Sequence, residues 1–183
     1  MSTATAIEIP TGTWAIDKAH TKVGFAVKHM GVSTVRGEFH DVDGTLEVDE
    51  NGNLTARGVV KTASVSTNQE QRDEHLRSAD FFDAENHPEL VFESTSIEQI
   101  DEENFRIVGN LTIHGVTNEI ELNAEHGGLD VGPEGEQRTG FEVTGQLSRK
   151  DYEMKFNAAL GSGNAVVADK VKLTLDVEAI KQD

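Results

Sequence analysis

The chain has 183 residues, 36% of them hydrophobic and 27% charged, which is enough for one domain with a real core. A formal net charge of −17 argues against nucleic acid and against electrostatic docking on anionic lipid, and no apolar run approaches the length of a membrane-spanning helix. The absence of cysteine excludes disulfides, thiolate metal sites and a cysteine nucleophile.

Residues 1–11 read as a flexible tail without the basic and apolar segments of a secretory signal, so the expected location is cytoplasmic. The remainder, 12–183, reads as a single domain. A short strand over 13–16 surrounds Trp14, and Asp17-Lys18-Ala19-His20 turns it. Over 21–29, Val23, Phe25 and Val27 share one face of a half-buried strand. Residues 33–48 form a long strand carrying Val35, Phe39, Val42, Leu46 and Val48, bent by Gly37 or Gly44 or by a bulge. Asp49-Glu50-Asn51-Gly52-Asn53 is a hairpin turn. The strand over 54–65 that follows is apolar or small on both faces, so one side needs a cover.

The strand pattern breaks at 65–88. Thr67-Asn68-Gln69-Glu70 has the form of a capping box, and good helix formers run over 69–78 with Asp73 and Arg77 one turn apart. Leu76 is the only large apolar residue of this helix, so it predicts a cap over a sheet and not a pillar within a core. Phe81 and Phe82 follow, and His87-Pro88 returns the chain to a strand. Two readings stand here: a solvated crossover plugging one end of the sheet, or a face on which Arg72, His75 and Arg77 meet the polar end of a ligand.

Strands are expected over 90–100 and 105–113, and His114-Gly115-Val116-Thr117-Asn118 turns into a strand marked by Ile120, Leu122 and Ala124. Residues 127–137 read as the most flexible loop. Phe141, Val143 and Leu147 mark the next strand, 149–156 a turn or single helical turn, Gly161-Ser162-Gly163 a flexible turn, and Val171, Leu173, Leu175, Val177 and Ala179 the last strand. Eight main strands joined mostly by hairpins, with one helix, predict an all-β fold: an eight-stranded antiparallel up-and-down barrel with a short helical lid. Aromatics are only 5% of the chain, and glycine, alanine and valine are frequent on the apolar faces, so the lumen should keep free space. Strands of about 12 residues at ~3.3 Å each give a tall tube suited to a long-chain ligand.

The alternating faces and the segment after the helix nominate Val23, Phe25, Val27, Phe39, Phe81, Phe82, Leu122, Phe141, Val143 and Leu173 as lumen contacts. Arg36, Arg72, His75 and Arg77 are the candidate donors for a polar head group. The seven histidines show no H-x-H or HExxH spacing, so no metal site is expected. Nucleophile-elbow, P-loop and Rossmann fingerprints are absent as well, so catalytic residues and a cofactor are not expected.

Trp14-Ala15-Ile16-Asp17 with His20, then Val35-Arg36-Gly37-Glu38-Phe39, resembles the opening of the YceI-like polyisoprenoid-binding family. Arg72-Asp73-Glu74-His75-Leu76 with Asp80-Phe81-Phe82-Asp83 and His87-Pro88 resembles its most specific motif. Gly109-Asn110-Leu111-Thr112-Ile113-His114-Gly115 and Leu147-Ser148-Arg149-Lys150-Asp151-Tyr152 are similar to its later blocks. The resemblance implies a lipocalin-like barrel holding a polyisoprenoid, an isoprenoid quinone or a similar lipid as carrier or store, without stable membrane insertion. Arg36 and His75, each in one of these blocks and beside a strand or helix end, are its favoured head-group donors. Many members of the family carry a signal peptide, a feature this sequence lacks. Two alternatives remain open: an enzyme using the barrel as a hydrophobic pocket with His75 or Asp17 as acid or base, and a stress or interaction protein with a filled core. Exposed sheet edges near the first strand leave room for a homodimer.

Overall fold

The computed structural model describes residues 9–154, 156 and 167–182. Strands occupy Gly12–Ile16 (β1), Lys22–His29 (β2), Ser33–Phe39 (β3), Val42–Val48 (β4), Leu54–Lys61 (β5) and Val65–Ser66 (β6). After the helix Glu70–Arg77 (α1) come Glu89–Gln99 (β7), Asn104–Ile113 (β8), Val116–Val131 (β9), Gln137–Ser148 (β10) and Val167–Lys181 (β11). Among the described residues no helix is long and apolar enough to cross a membrane.

The long strand β11 shows how the sheet closes. One edge pairs with β10; the other pairs first with β2, through Leu173 against Phe25, and then with β1, through Ile180 against Ala15. β1 and β2 are therefore two halves of one strand position, broken by a 3-10 turn at Lys18–His20 that Asp17 caps by accepting the Ala19 amide at 3.1 Å. β3 and β4 share the next position, and β5 and β6 the one after, separated by a 3-10 turn at Thr62–Ser64. Counted this way, eight antiparallel positions close into the barrel expected from the sequence.

The three breaks lie level with one another, since Val23 pairs with Phe39 and Phe39 with Val65. The strands expected to run through 33–48 and 54–65 thus come in two pieces each. The first breaks at His40 and Asp41 and not at either glycine. Backbone bonds from His40 to the Ser64 carbonyl (3.3 Å) and from Lys61 to the Asp41 carbonyl (2.9 Å) satisfy the polar groups freed there. The wall bends at this level and opens above it: β6 pairs only with Glu38 and Phe39, and farther along β3 no strand continues that edge among the described residues. Helix α1 and residues 78–88 occupy the opening.

Phe81 and Phe82 are buried there with Phe39, Val65, Leu90, Ile113, Tyr152 and Met154, and the Phe82 ring meets Phe39 edge-on at 5.4 Å. Leu76 packs against the same cluster. The helix start differs from the expected capping box. Gln69 is the N-cap and makes no side-chain cap bond, while Thr67 donates its hydroxyl (2.6 Å) and amide (2.8 Å) to the buried carboxylate of Asp73 and accepts from Arg72 Nε at 2.7 Å. Asn68 takes a left-handed conformation, φ 63°, which swings Thr67 beside the helix instead of before it. Asp73 is occupied there, and Arg77 reaches Glu70 (3.7 Å) instead.

At the other end, Ile9 and the fully buried Trp14 form a floor with Val48 and Ala179, and Trp14 Nε1 donates to the Pro10 carbonyl at 3.0 Å. Residues 9–11 therefore belong to the barrel and not to a tail; the rest of the expected tail, and Gly161-Ser162-Gly163, lie outside the described residues. The expected loop over 127–137 is mostly strand, because β9 and β10 go on pairing to Val131 and Gln137 whatever the polarity of their side chains. Only residues 132–136 turn.

Candidate functional site

The inward faces enclose two abutting apolar cavities, one of about 220 Å³ toward the helical lid and one of about 150 Å³ toward the floor. Val23, Phe25, Val27, Phe39, Phe81, Phe82, Leu122 and Leu173 line the first, and Leu122, Phe141 and Val143 line the second. Leu122, Phe92, Leu175 and Val177 are common to both, so the compartments share walls.

Space survives because large inward side chains lie flat against glycines on adjacent strands. A Cβ at Gly37 would stand 2.3 Å from Cζ of Phe25, and one at Gly109 would stand 2.5 Å from Cζ of Phe92. Leu122 lies over Gly145 and Ile16 over Gly44 in the same manner. Each pair stacks bulk on the wall and keeps it out of the lumen.

The two favoured head-group donors do not reach this space. Arg36 is exposed on the outer face of β3 beside Lys22 and Glu38, because its chain neighbours Val35 and Gly37 alternate with it across the pleat. His75 braces the lid from outside: its ring meets Phe81 at 5.0 Å and Phe156 at 4.8 Å, and its Nε2 pairs with Asp80 at 2.9 Å. Arg72 is spent on Thr67, its Nη2 donating to the Thr67 carbonyl at 2.8 Å.

A buried charged side chain at the lumen wall is Arg149, at 5% exposure. It follows β10 in a 3-10 turn, Arg149–Tyr152. The guanidinium donates to the carbonyls of Ala168 (2.9 Å), Met154 (3.1 Å), Val167 (3.1 Å) and Phe156 (3.2 Å), and stands 5.8 Å from the Phe81 ring centre. Burial lowers its pKa, partly opposed by the charge of Asp169. Carbonyls satisfy the donors and Asp169 offsets part of the charge, so a hydrogen-bonded cation, partly compensated, stands at the lid end of an apolar tube. Sequence reading passed over Arg149 because it lies in a turn, outside any alternating face. Its place among apolar neighbours follows only when β11 adds the Val167 and Ala168 carbonyls to those of Met154 and Phe156.

Tyr152 in the same turn is almost fully buried, and burial pushes its phenol up to about 12. Asp17 lies outside the lumen in a cluster with His20 (2.7 Å) and Arg138 (2.8 Å); the Arg138 hydrogen bond, then that of His20, hold its carboxyl at about 2. A carboxylate held so low is a poor general base near neutral pH.

Fold and site together define a closed antiparallel barrel with an apolar interior, sealed by a helical lid. A family model described as YceI-like domain matches residues 14–179, and the chain belongs to that family. UPF0312 protein SA2479 of Staphylococcus aureus is 37% identical over 168 residues, covering 90% of this chain and 95% of the relative. The crystal structure of the Campylobacter jejuni YCEI protein is 35% identical with a TM-score of 0.74, covering 91% of this chain and 96% of that one. A polyisoprenoid binding domain from Saccharophagus degradans, implicated in plant cell wall breakdown, shares the fold at 15% identity and a TM-score of 0.70, covering 92% and 98%.

Proposed function

We propose that the protein binds one long-chain apolar lipid in the barrel lumen, of the polyisoprenoid or isoprenoid-quinone type, as a carrier or store. The observation that carries this reading is the pair of abutting apolar cavities with Arg149 at their lid end. An apolar chain fits the lumen, and an anionic or strongly dipolar head group fits the buried guanidinium at its end. The solved domain of the same fold described as polyisoprenoid binding supports the ligand class.

The size of the cavities adds a condition. Cavities of about 220 and 150 Å³ hold on the order of a dozen groups of ~30 Å³, the share of one water in the liquid. A long lipid therefore enters by moving Phe81 and Phe82 off the mouth or by leaving part of its chain outside. Burying about 400 Å² of chain at ~25 cal/mol per Å² contributes on the order of 10 kcal/mol before ordering costs, ample for micromolar binding.

Native mass spectrometry of freshly purified protein, followed by titration with polyprenyl lipids, tests the reading. A single lipid adduct that disappears in Leu173→Trp, with the fold retained by circular dichroism, is the expected result. An empty protein that takes up no lipid in the titration would make the barrel a scaffold with a filled core.

A further inference from the structure

The lid meets the barrel mouth at a set of ligating side chains outside the lumen. Asp83 and His87 belong to the lid segment, His114 to the β8–β9 turn, and one side-chain ligand atom from each lies within 4.8 Å of the others. All three are half-buried. We propose that these residues bind a divalent transition metal of the zinc type and that the metal staples the lid to the barrel.

Backbone geometry aims the ligands at one point. The His87 amide donates to the Asp83 carbonyl at 2.8 Å, closing a single turn, and the two side chains bring ligand atoms within 4.8 Å of each other. The His87 carbonyl accepts the hydroxyl of the fully buried Thr62 at 2.8 Å, which anchors that turn to the wall. Across from it, His114 and Gly115 make a two-residue hairpin turn with φ of 56° and 75°. Asparagine or aspartate would serve such a turn as well or better, so the histidine needs another reason. Gly115 gives the His87 ring room: a Cβ there would stand 2.8 Å from His87 Cε1. The two imidazoles meet edge-on, 5.0 Å apart at 60°.

The hydrogen bonds behind the ligands suit metal binding. His114 Nδ1 lies 3.3 Å from the Tyr152 carbonyl, an acceptor only, and a neutral ring donating there keeps Nε2 for a metal. A backbone carbonyl behind the distal nitrogen is the usual support of a metal-binding histidine. The Asp83 carboxylate is oriented by Asn86 Nδ2, 3.1 Å from each oxygen. Two imidazoles and one carboxylate match zinc and its neighbours in the first transition row. Tetrahedral bonds of ~2.0–2.1 Å require ligand atoms about 3.3 Å apart, so modest side-chain rotations complete the set. The other candidate cluster, Asp17 with His20 and Glu178, is different: the Arg138 guanidinium already stands 2.8 Å from Asp17 and 2.6 Å from Glu178, filling the place of a cation.

Asp83 directly follows Phe81 and Phe82, so a metal there holds both rings in the mouth. The consequence for lipid exchange rests on the lumen-binding reading, whereas metal binding itself does not. Zinc titration of the chelator-treated full chain by calorimetry is the test. One Zn²⁺ per chain is expected, with binding weakened roughly 10-fold or more in His87→Gln and His114→Gln and unchanged in His20→Gln. Hydrogen exchange over 78–88 should slow when Zn²⁺ is added. No zinc binding by the unaltered chain, or equal affinity in the folded His87→Gln and His114→Gln variants, overturns the proposal. Should those variants fail to fold, Co²⁺ added to the unaltered chain decides by NMR line broadening. Broadening centred on 83–88 and 113–115 supports the site, and broadening centred on 17–20 or spread over the acidic surface overturns it. A protein that binds zinc here and no lipid would leave the staple standing and remove the carrier.

Discussion

Single residues shape the lumen from opposite directions. Gly37 has Phe25 pressed on it, whereas a Cβ at Gly58 would meet only the Asp43 carbonyl at 3.8 Å. Gly37→Ala should therefore drive the Phe25 ring into the cavity and cost about 1–3 kcal/mol as overpacking, while Gly58→Ala should be neutral or stabilising by about 0.4–1 kcal/mol. Urea unfolding of the two variants checks the contrast, and equal losses would mean that the ring moves aside freely. Frequent glycine on the inward faces was legible in the sequence as spare room. Which ring each glycine accommodates was not, because Phe25 and Gly37 meet only through the β2–β3 register.

At the scale of elements, the lid differs from the strands in what holds it. Helix α1 buries one residue, Asp73, and its only large apolar contact is Leu76, whereas β8 is paired along its length with β7 and β9. Local opening should therefore be cheaper in the helix than in the strand. Hydrogen exchange is expected to show residues 70–77 exchanging faster than 104–113, and uniform protection would remove the basis for a lid. The helix was legible from its composition, and its capping role from the scarcity of apolar residues. Its N-terminal bonding was misread, since Asp73 serves Thr67 through a left-handed Asn68 that no local pattern announces.

For the whole molecule, the formal charge of −17 sits on a surface where several carboxylates are held below their ordinary range. Asp17 is lowered first by Arg138 and then by His20, Glu136 first by Arg138, and Asp49 and Asp101 mainly by turn amides and asparagine side chains. Groups depressed in the folded state contribute stability that is complete above their unfolded pKa of about 4 and is lost as pH falls through the folded value. The two perturbed histidines oppose each other. His20, raised by its bond to Asp17, favours the fold below about 6.5 and loses that contribution as pH rises through its folded pKa; His126, lowered by burial, disfavours the fold as pH drops below about 6.5. Stability should thus fall as pH drops from about 4 through the folded Asp17 value of about 2, while between pH 8 and about 5 the two histidines pull in opposite directions. Denaturant midpoints across that range check the profile, and Arg138→Ala should flatten the acid limb because Asp17 and Glu136 both depend on it.

Strand number, hairpin order and the apolar inward faces followed from period-two patterning, since alternation is a local property that each strand carries alone. The same patterning named Val23, Phe25, Val27, Leu122, Phe141, Val143 and Leu173, which all line the cavities. Closure of the sheet decided the rest. It broke three strand positions at one level and brought the Val167 and Ala168 carbonyls of β11 onto Arg149. It also brought His114 against Asp83 and His87 across a separation no local motif spans. These contacts join residues far apart in the chain, and their geometry is set by register and by the packing of the lid, quantities that exist only once the barrel has closed.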